Sequence, residues 1–131
     1  PVVVHDAARP FLTDALLTQS LLAAEETGAC GVGIPVVDTL KVVDDNGFIE
    51  KTLDRNKLWA IQTPQTFRFS LLHEVHERAK KEKIRGTDDC ILAEYYGYKV
   101  KMINGSSENI KITTPEDMFL AEAVLLRRGN R

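Results

Sequence analysis

Excess charge of one sign, long apolar runs and cysteine pairs are all missing from this 131-residue chain. Its 17 basic and 19 acidic residues leave a formal net charge of −2, so no electrostatic attraction to nucleic acid is expected. No apolar stretch approaches the roughly 20 residues needed to cross a bilayer, and no signal peptide is visible, so no membrane partner is expected. Cys30 and Cys90 form no CxxC pattern and have no neighbouring metal-type ligands. They read as small buried side chains in a reducing compartment, with the cytoplasm as the default. The GxSxG, HExxH and P-loop lysine motifs are missing too, as is any Cys/His pairing at useful spacing.

What remains is an ordinary globular composition, 44% hydrophobic and 27% charged, enough for one domain with a real core and too short for two. The opening stretch, PVVVHDAARP, organises the rest. Residues 1–4 read as a strand buried on both faces, as in a parallel sheet covered by helices. The run then breaks into His5, Asp6 and Arg9. Open α/β sheets place ligands beyond the carboxyl ends of their strands, where Asp6 could hold a magnesium ion or a sugar hydroxyl and Arg9 could face a phosphate. The plainer alternative is that Asp6 and Arg9 pair with each other and close the strand end. A central strand needs neighbours on both sides, yet only residues 30–36 and 99–103 offer good further candidates. The chain is therefore expected to begin partway through a larger domain, precursor processing being the alternative.

Thr13 and Asp14 open a helix that Gly28 ends, with Leu16, Leu17, Leu21 and Ala24 on its apolar face. With the strand over 30–36 this makes a β-α-β unit of expected right-handed crossover. Residues 40–43 and 48–53 flank Asp44-Asp45-Asn46-Gly47, a strong hairpin signal. Two charged strands alone are marginal in water, so the segment 37–57 reads as an arm that packs on a second copy, or as a flap over its own site. Gln62 to Thr66 reads as a polar loop with Thr63 held extended by Pro64. A helix is expected over about 70–83, its face formed by Leu72, Val75, His76 and Ala79. His73 and His76 lack a third metal ligand. Thr87 is the expected cap of a short helix buried through Ile91, Leu92 and Tyr95. A half-buried strand over 99–103, a turn at Asn104-Gly105 and an extended piece over 108–113 follow. Thr114, Pro115, Glu116 and Asp117 open the last helix, and Met118, Leu120, Ala121, Val124 and Leu125 are its expected core face.

Single polar residues thus recur at the ends of apolar elements: Asp6, Arg9, Thr39, Arg55, Thr63 and Lys111. Two hydroxyls, two guanidinium groups and an ammonium suit a phosphate, with one carboxylate for a metal or a hydroxyl. Each also has a mundane alternative. Thr39 can be a strand residue, Thr63 a turn residue, Arg55 a partner of Asp54, and Lys111 a surface charge.

The succession HDAARP, PVVDTLK, LDRNKLWAIQTPQTF, GTDD and NIKITTPED resembles the 2-C-methyl-D-erythritol 4-phosphate cytidylyltransferases over essentially the whole chain. Ribitol-5-phosphate cytidylyltransferases share the HDAxRP and NIK elements, but DRNKLW before QTPQ is more similar to the erythritol enzymes. The resemblance implies a Rossmann-like nucleotidyltransferase α/β fold, three-layered, with a projecting hairpin arm interlocking a homodimer. It implies transfer of CMP from CTP to methylerythritol phosphate with Mg2+, in the cytoplasm or, in plants, the plastid. Arg55 and Lys111 would position the substrate phosphate, helped by Thr39 and Thr63, with Thr39 and Arg55 serving the partner's site. Asp6 and Arg9 would lie between nucleotide and polyol, with Asp6 the candidate metal ligand. The family's glycine-rich nucleotide loop has no counterpart in this sequence. The resemblance therefore implies the C-terminal part of a single nucleotidyltransferase domain, inactive alone. The alternatives are another polyol-phosphate cytidylyltransferase or a non-catalytic dimerisation module.

Overall fold

The computed structural model describes residues 1–129. Its centre is a four-stranded sheet in the order β1-β5-β2-β6, formed by β1 (Val2–Val4), β2 (Ala29–Pro35), β5 (Trp59–Phe67) and β6 (Lys101–Asn104). β5 runs antiparallel to both β1 and β2, and β6 runs parallel to β2. A separate two-stranded sheet, β3 (Lys41–Val43) and β4 (Ile49–Thr52), forms the hairpin arm. The helices are α1 (Asp14–Thr27), α2 (Phe69–Glu82), α3 (Asp89–Tyr95) and α4 (Pro115–Gly129).

Alternation along β5 divides the core between two faces. Thr66 points at α1, where its hydroxyl donates to Ser20 Oγ at 3.1 Å. Phe67 points the other way and packs with Ala29, Cys90 and Ala93, against which Leu71 and Leu72 of α2 also rest. The sheet is therefore sandwiched, α1 on one side and α2 with α3 on the other. Gly31 packs tightly at this second face, where a Cβ would lie 3.0 Å from Met102 Sδ and 3.2 Å from Cys90 Sγ, so those side chains would have to give way by a few tenths of an ångström. Burial pushes the Cys30 thiol up to about 11 and raises that of Cys90 as well, so neither is a thiolate at neutral pH.

Several expectations hold in detail. The Thr13 hydroxyl accepts the Leu16 N–H, and Gly28 closes α1 in the left-handed region at φ 92°. Gly47 takes a positive φ in the hairpin turn, where the Asp44 carboxylate accepts the N–H groups of Asn46 and Phe48. Thr114 opens α4, and Asp117 accepts from the N–H groups of Thr113 and Thr114.

Other expectations are corrected. β1 is not central among the described residues: it pairs only with β5, and Val3 is exposed. The β-α-β unit is split, because β5 lies between β1 and β2. The supposed polar loop 62–66 is the buried middle of β5. Its polar side chains are satisfied internally, and Pro64, which has no N–H, sits where the β2 register jumps from Thr66 to Gln62. Asp88, not Thr87, caps α3, so Cys90, Leu92 and Ala93 face inward while Ile91 and Tyr95 are exposed. His76 leaves the core face of α2 and pairs with Asp89 at 2.6 Å, and His73 stacks on Phe69. On α4 only Ala121 of the expected face is buried; Met118, Leu120 and Leu125 are exposed.

Two outcomes follow from the caps. Asp88→Ala should lower stability in urea by about 1 kcal/mol and Thr87→Ala by clearly less. The backbone donors at Thr113 and Thr114, Thr113 foremost, hold the Asp117 carboxyl below the usual aspartate range. Its contribution is thus complete above the ordinary aspartate value and lost as pH falls through the lower folded value. Asp117→Asn should flatten the acid-side decline of stability below about pH 4, measured by denaturation at a series of pH values.

Candidate functional site

The site forms where β1 ends and the chain turns. Arg9 N–H donates to the Asp6 carbonyl at 3.1 Å, closing a tight turn over Asp6–Arg9. The segment 108–113 lies alongside, tied by the Ile112 N–H to the Ala8 carbonyl at 2.8 Å. This brings Lys111 to the Asp6 turn, and β5 presents Thr63 beneath it. A cleft of about 200 Å³ results, lined by Asp6, Arg9, Thr63 and Lys111 together with Ile61, Gln62, Gln65, Thr87 and Asp88.

Below the cleft, hydrogen bonds join four residues in a closed circuit. His5 Nε2 meets the Arg9 carbonyl at 2.9 Å. Arg9 Nη1 donates to the Asn109 carbonyl at 2.7 Å. Asn109 Nδ2 donates to the Thr63 carbonyl at 2.8 Å, and the Thr63 hydroxyl meets His5 Nδ1 at 2.9 Å. Thr63 Oγ1 also accepts the Asp6 N–H at 2.9 Å. Asn109 is about 1% exposed and also donates to Gln62 Oε1, while its own Oδ1 has no partner. A buried orphan acceptor costs stability, as is more often tolerated at functional sites than elsewhere.

Asp6 Oδ2 takes Arg9 Nε at 3.2 Å and Lys111 Nζ at 3.7 Å. Both readings of the Asp6–Arg9 pair therefore hold: they bond to each other and they line a cleft. Lys111 is half exposed, and an ion pair of that kind holds it only weakly, so it is free to turn to a bound anion. Among the lining residues Asp6 and Asp88 balance Arg9 and Lys111, so the cleft is formally neutral. Asp88 is committed to capping Ile91 N–H. No group of three or more His, Cys, Asp or Glu positioned to hold a metal occurs among the described residues. Asp6 nevertheless keeps Oδ1 free of the contacts made by Oδ2, and magnesium binds through one or two carboxylates plus substrate phosphates. The donor set fits an ion that arrives with phosphate groups.

Thr39 and Arg55 do not line the cleft. Both are exposed on the arm, and Arg55 Nη1 donates to the Val37 carbonyl at 2.7 Å. No arm residue lines the cleft, which removes support for a flap over the chain's own site. The arm instead leaves Phe48 72% and Ile49 62% exposed. Gln62, Gln65 and Asn109 escaped the sequence reading because the polar run 62–66 looks like a loop and nothing local marks Asn109 as buried. The GTDD segment carried the one usable signal for Thr87 and Asp88.

Thr63→Val keeps shape and removes the hydroxyl, leaving the Asp6 N–H without its partner. It should cost about 1–3 kcal/mol in urea denaturation, and Thr63→Ser should restore most of that. Equal stability of the Val variant would show that the circuit contributes nothing.

Comparison with known proteins identifies the cleft's lineage. The sequence model of "IspD: 2-C-methyl-D-erythritol 4-phosphate cytidylyltransferase" matches residues 1–127. The enzyme of that name from Syntrophotalea carbinolica is 52% identical over 129 residues, covering 98% of this chain and 55% of the relative. That from Desulforamulus reducens is 47% identical over 128 residues, with the same two coverages. The crystal structure of the Thermus thermophilus enzyme superposes with a TM-score of 0.85 at 37% identity, over 94% of this chain and 60% of that one. The chain spans about half the length of the curated relatives it matches. Its sheet and helices are those of a Rossmann-type nucleotidyltransferase-like α/β fold. The chain belongs to the 2-C-methyl-D-erythritol 4-phosphate cytidylyltransferase family.

Proposed function

We propose that this chain binds the polyol phosphate in a cytidylyltransferase that moves CMP from CTP to 2-C-methyl-D-erythritol 4-phosphate, releasing pyrophosphate. The observation that carries it is the convergence of Arg9 and Lys111 on one cleft with Asp6 and Thr63, in a chain of this family. The chemistry asks little more of the protein. A phosphate monoester has its second pKa near 6, so at neutral pH it is mostly a dianion and attacks without a general base. Orientation, and neutralisation of charge growing on the attacked phosphorus, remain to be supplied. Lys111 takes the substrate phosphate, Arg9 and Asp6 lie between it and the nucleotide, and Thr63 forms the facing wall. Magnesium, carried in with the nucleotide phosphates, would be held by Asp6 and would supply charge neutralisation. On this reading the protein works in the cytoplasm or, in a plant, the plastid.

A formally neutral cleft is short of positive charge for a dianion. This supports a homodimer in which the arm, residues 37–57, carries Thr39 and Arg55 to the partner's cleft. The exposed Phe48 and Ile49 suit burial against a second copy. The coverage of about half of each relative's length supports the further reading that the chain is one part of a nucleotidyltransferase domain.

In the full-length protein, Lys111→Ala and Arg55→Ala should each lower kcat/KM for the polyol phosphate by about tenfold to a hundredfold, measured as pyrophosphate release. Near-normal turnover of Lys111→Ala would refute the assignment. A panel of polyol phosphates separates methylerythritol phosphate from ribitol 5-phosphate, and loss of dimer on deleting 44–48 tests the arm.

A further inference from the structure

Arg9 and Lys111, the cations that line the cleft, ride on two segments that the last helix ties together. Arg9 belongs to the turn after β1, and two residues on stands Phe11, 6% exposed. Lys111 belongs to the segment 108–113, which opens on Glu108. Arg128, in the last turn of α4, reaches both segments. Its Nε donates to Glu108 Oε1 at 3.3 Å, and its Nη2 donates to the Phe11 carbonyl at 3.0 Å. The guanidinium carbon also lies 5.2 Å from the centre of the Phe11 ring, within range of a cation–π contact. A planar guanidinium serves two acceptors in fixed directions at once, which an ammonium on a flexible stem does not.

Arg127 supplies the contrast. It pairs with the other oxygen of Glu108, but its side chain is 68% exposed and makes no bond to the Phe11 segment among the described residues. Both arginines suit the last turn of a helix, where cations complement the free carbonyls. That role asks nothing of Glu108 or Phe11, and Arg128 alone of the two meets both. We propose that Arg128 is a positioning residue, a strap from α4 that holds the Arg9 turn and the Lys111 segment at the spacing a phosphate needs. This rests on the proposed polyol-phosphate site and deepens it, because Arg128, Glu108 and Phe11 all lie outside the cleft lining. Nearer the cleft the same segments are joined by the Arg9–Asn109 and Ile112–Ala8 bonds. Arg128 adds a charge-assisted tie at their far ends.

The test has two arms, both in the full-length protein. In the first, hydrogen exchange is followed by mass spectrometry. Arg128→Ala should speed exchange in segments 5–12 and 108–113 by about tenfold or more and leave β2 unchanged, while Arg127→Ala should leave all three unchanged. Unaltered exchange in both segments of Arg128→Ala would overturn the strap whatever the activity. In the second arm, Arg128→Ala should raise KM for the polyol phosphate about fivefold or more, with KM for CTP within about twofold. Arg128→Lys keeps the charge at the helix end but not the bridge, and should still raise that KM about threefold or more. A general loss of folded protein would instead lower kcat and leave both KM values alone, which would contradict the role. So would a Lys variant that matches the unmodified protein, or an equal effect of Arg127→Ala. If the unmodified protein turns over no polyol phosphate, the functional reading fails and the role given to Arg128 with it. The exchange measurement distinguishes that failure from a strap that does not hold.

Discussion

The four hydrogen bonds that run from His5 to Arg9, Asn109, Thr63 and back join three stretches of chain far apart in sequence. Thr63 stands 58 residues from His5, and Asn109 stands 100 from Arg9. Each such bond is worth only about 0.5–1.5 kcal/mol net, but a partner left buried and unpaired costs more, so the four tend to stand or fall together. Their consequence is geometric. The carboxyl end of β1, the middle of β5 and the 108–113 segment are locked in one arrangement, and Asp6, Arg9, Thr63 and Lys111 surround a single cleft because of it. The two strands and the loop could pack through apolar contacts alone. Their polar ends would then have no reason to coincide.

The sheet serves this junction by placing a polar strand at its centre. β5 would be an unsuitable core strand by composition, with Gln62, Thr63, Gln65 and Thr66 in succession. It is stable there because every one of them has an internal partner: Ser106, His5, Cys90 N–H and Ser20. Burial in a low-dielectric setting makes these bonds directional constraints. They fix β5 against α1 on one face and α3 on the other.

Legibility followed the range of the interactions. Thr13 with Gly28, Thr114 with Asp117, and Asn46-Gly47 act within a few residues, so the helix α1, the start of α4 and the hairpin could be read directly. The α3 cap was off by one residue, because Thr87 and Asp88 are both good caps and only the packing of Cys90 and Ala93 chooses between them. β5 was misread as a loop because its polar side chains are satisfied by residues tens of positions away. The expected core face of α4 is largely exposed for the opposite reason: apolar spacing marks a face without saying what lies against it. Of the candidate site residues, Asp6, Arg9, Thr63 and Lys111 line one cleft. Thr39 and Arg55 stand apart on the arm, which a single chain cannot reconcile with one shared site.

That separation gives the arm its place in the physical picture. Under the proposed function, a formally neutral cleft would need more cation for a dianionic ligand, and the exposed Phe48 and Ile49 of the arm would need a surface to cover them. A second copy would meet both needs at once. The decisive measurement is a crystal structure of the full-length protein with 2-C-methyl-D-erythritol 4-phosphate bound. Lys111 of one subunit and Arg55 of the other should both lie within hydrogen-bond distance of the phosphate, over an intact circuit through His5, Arg9, Asn109 and Thr63. A phosphate bound away from Lys111, or an arm folded onto its own subunit, would contradict that arrangement.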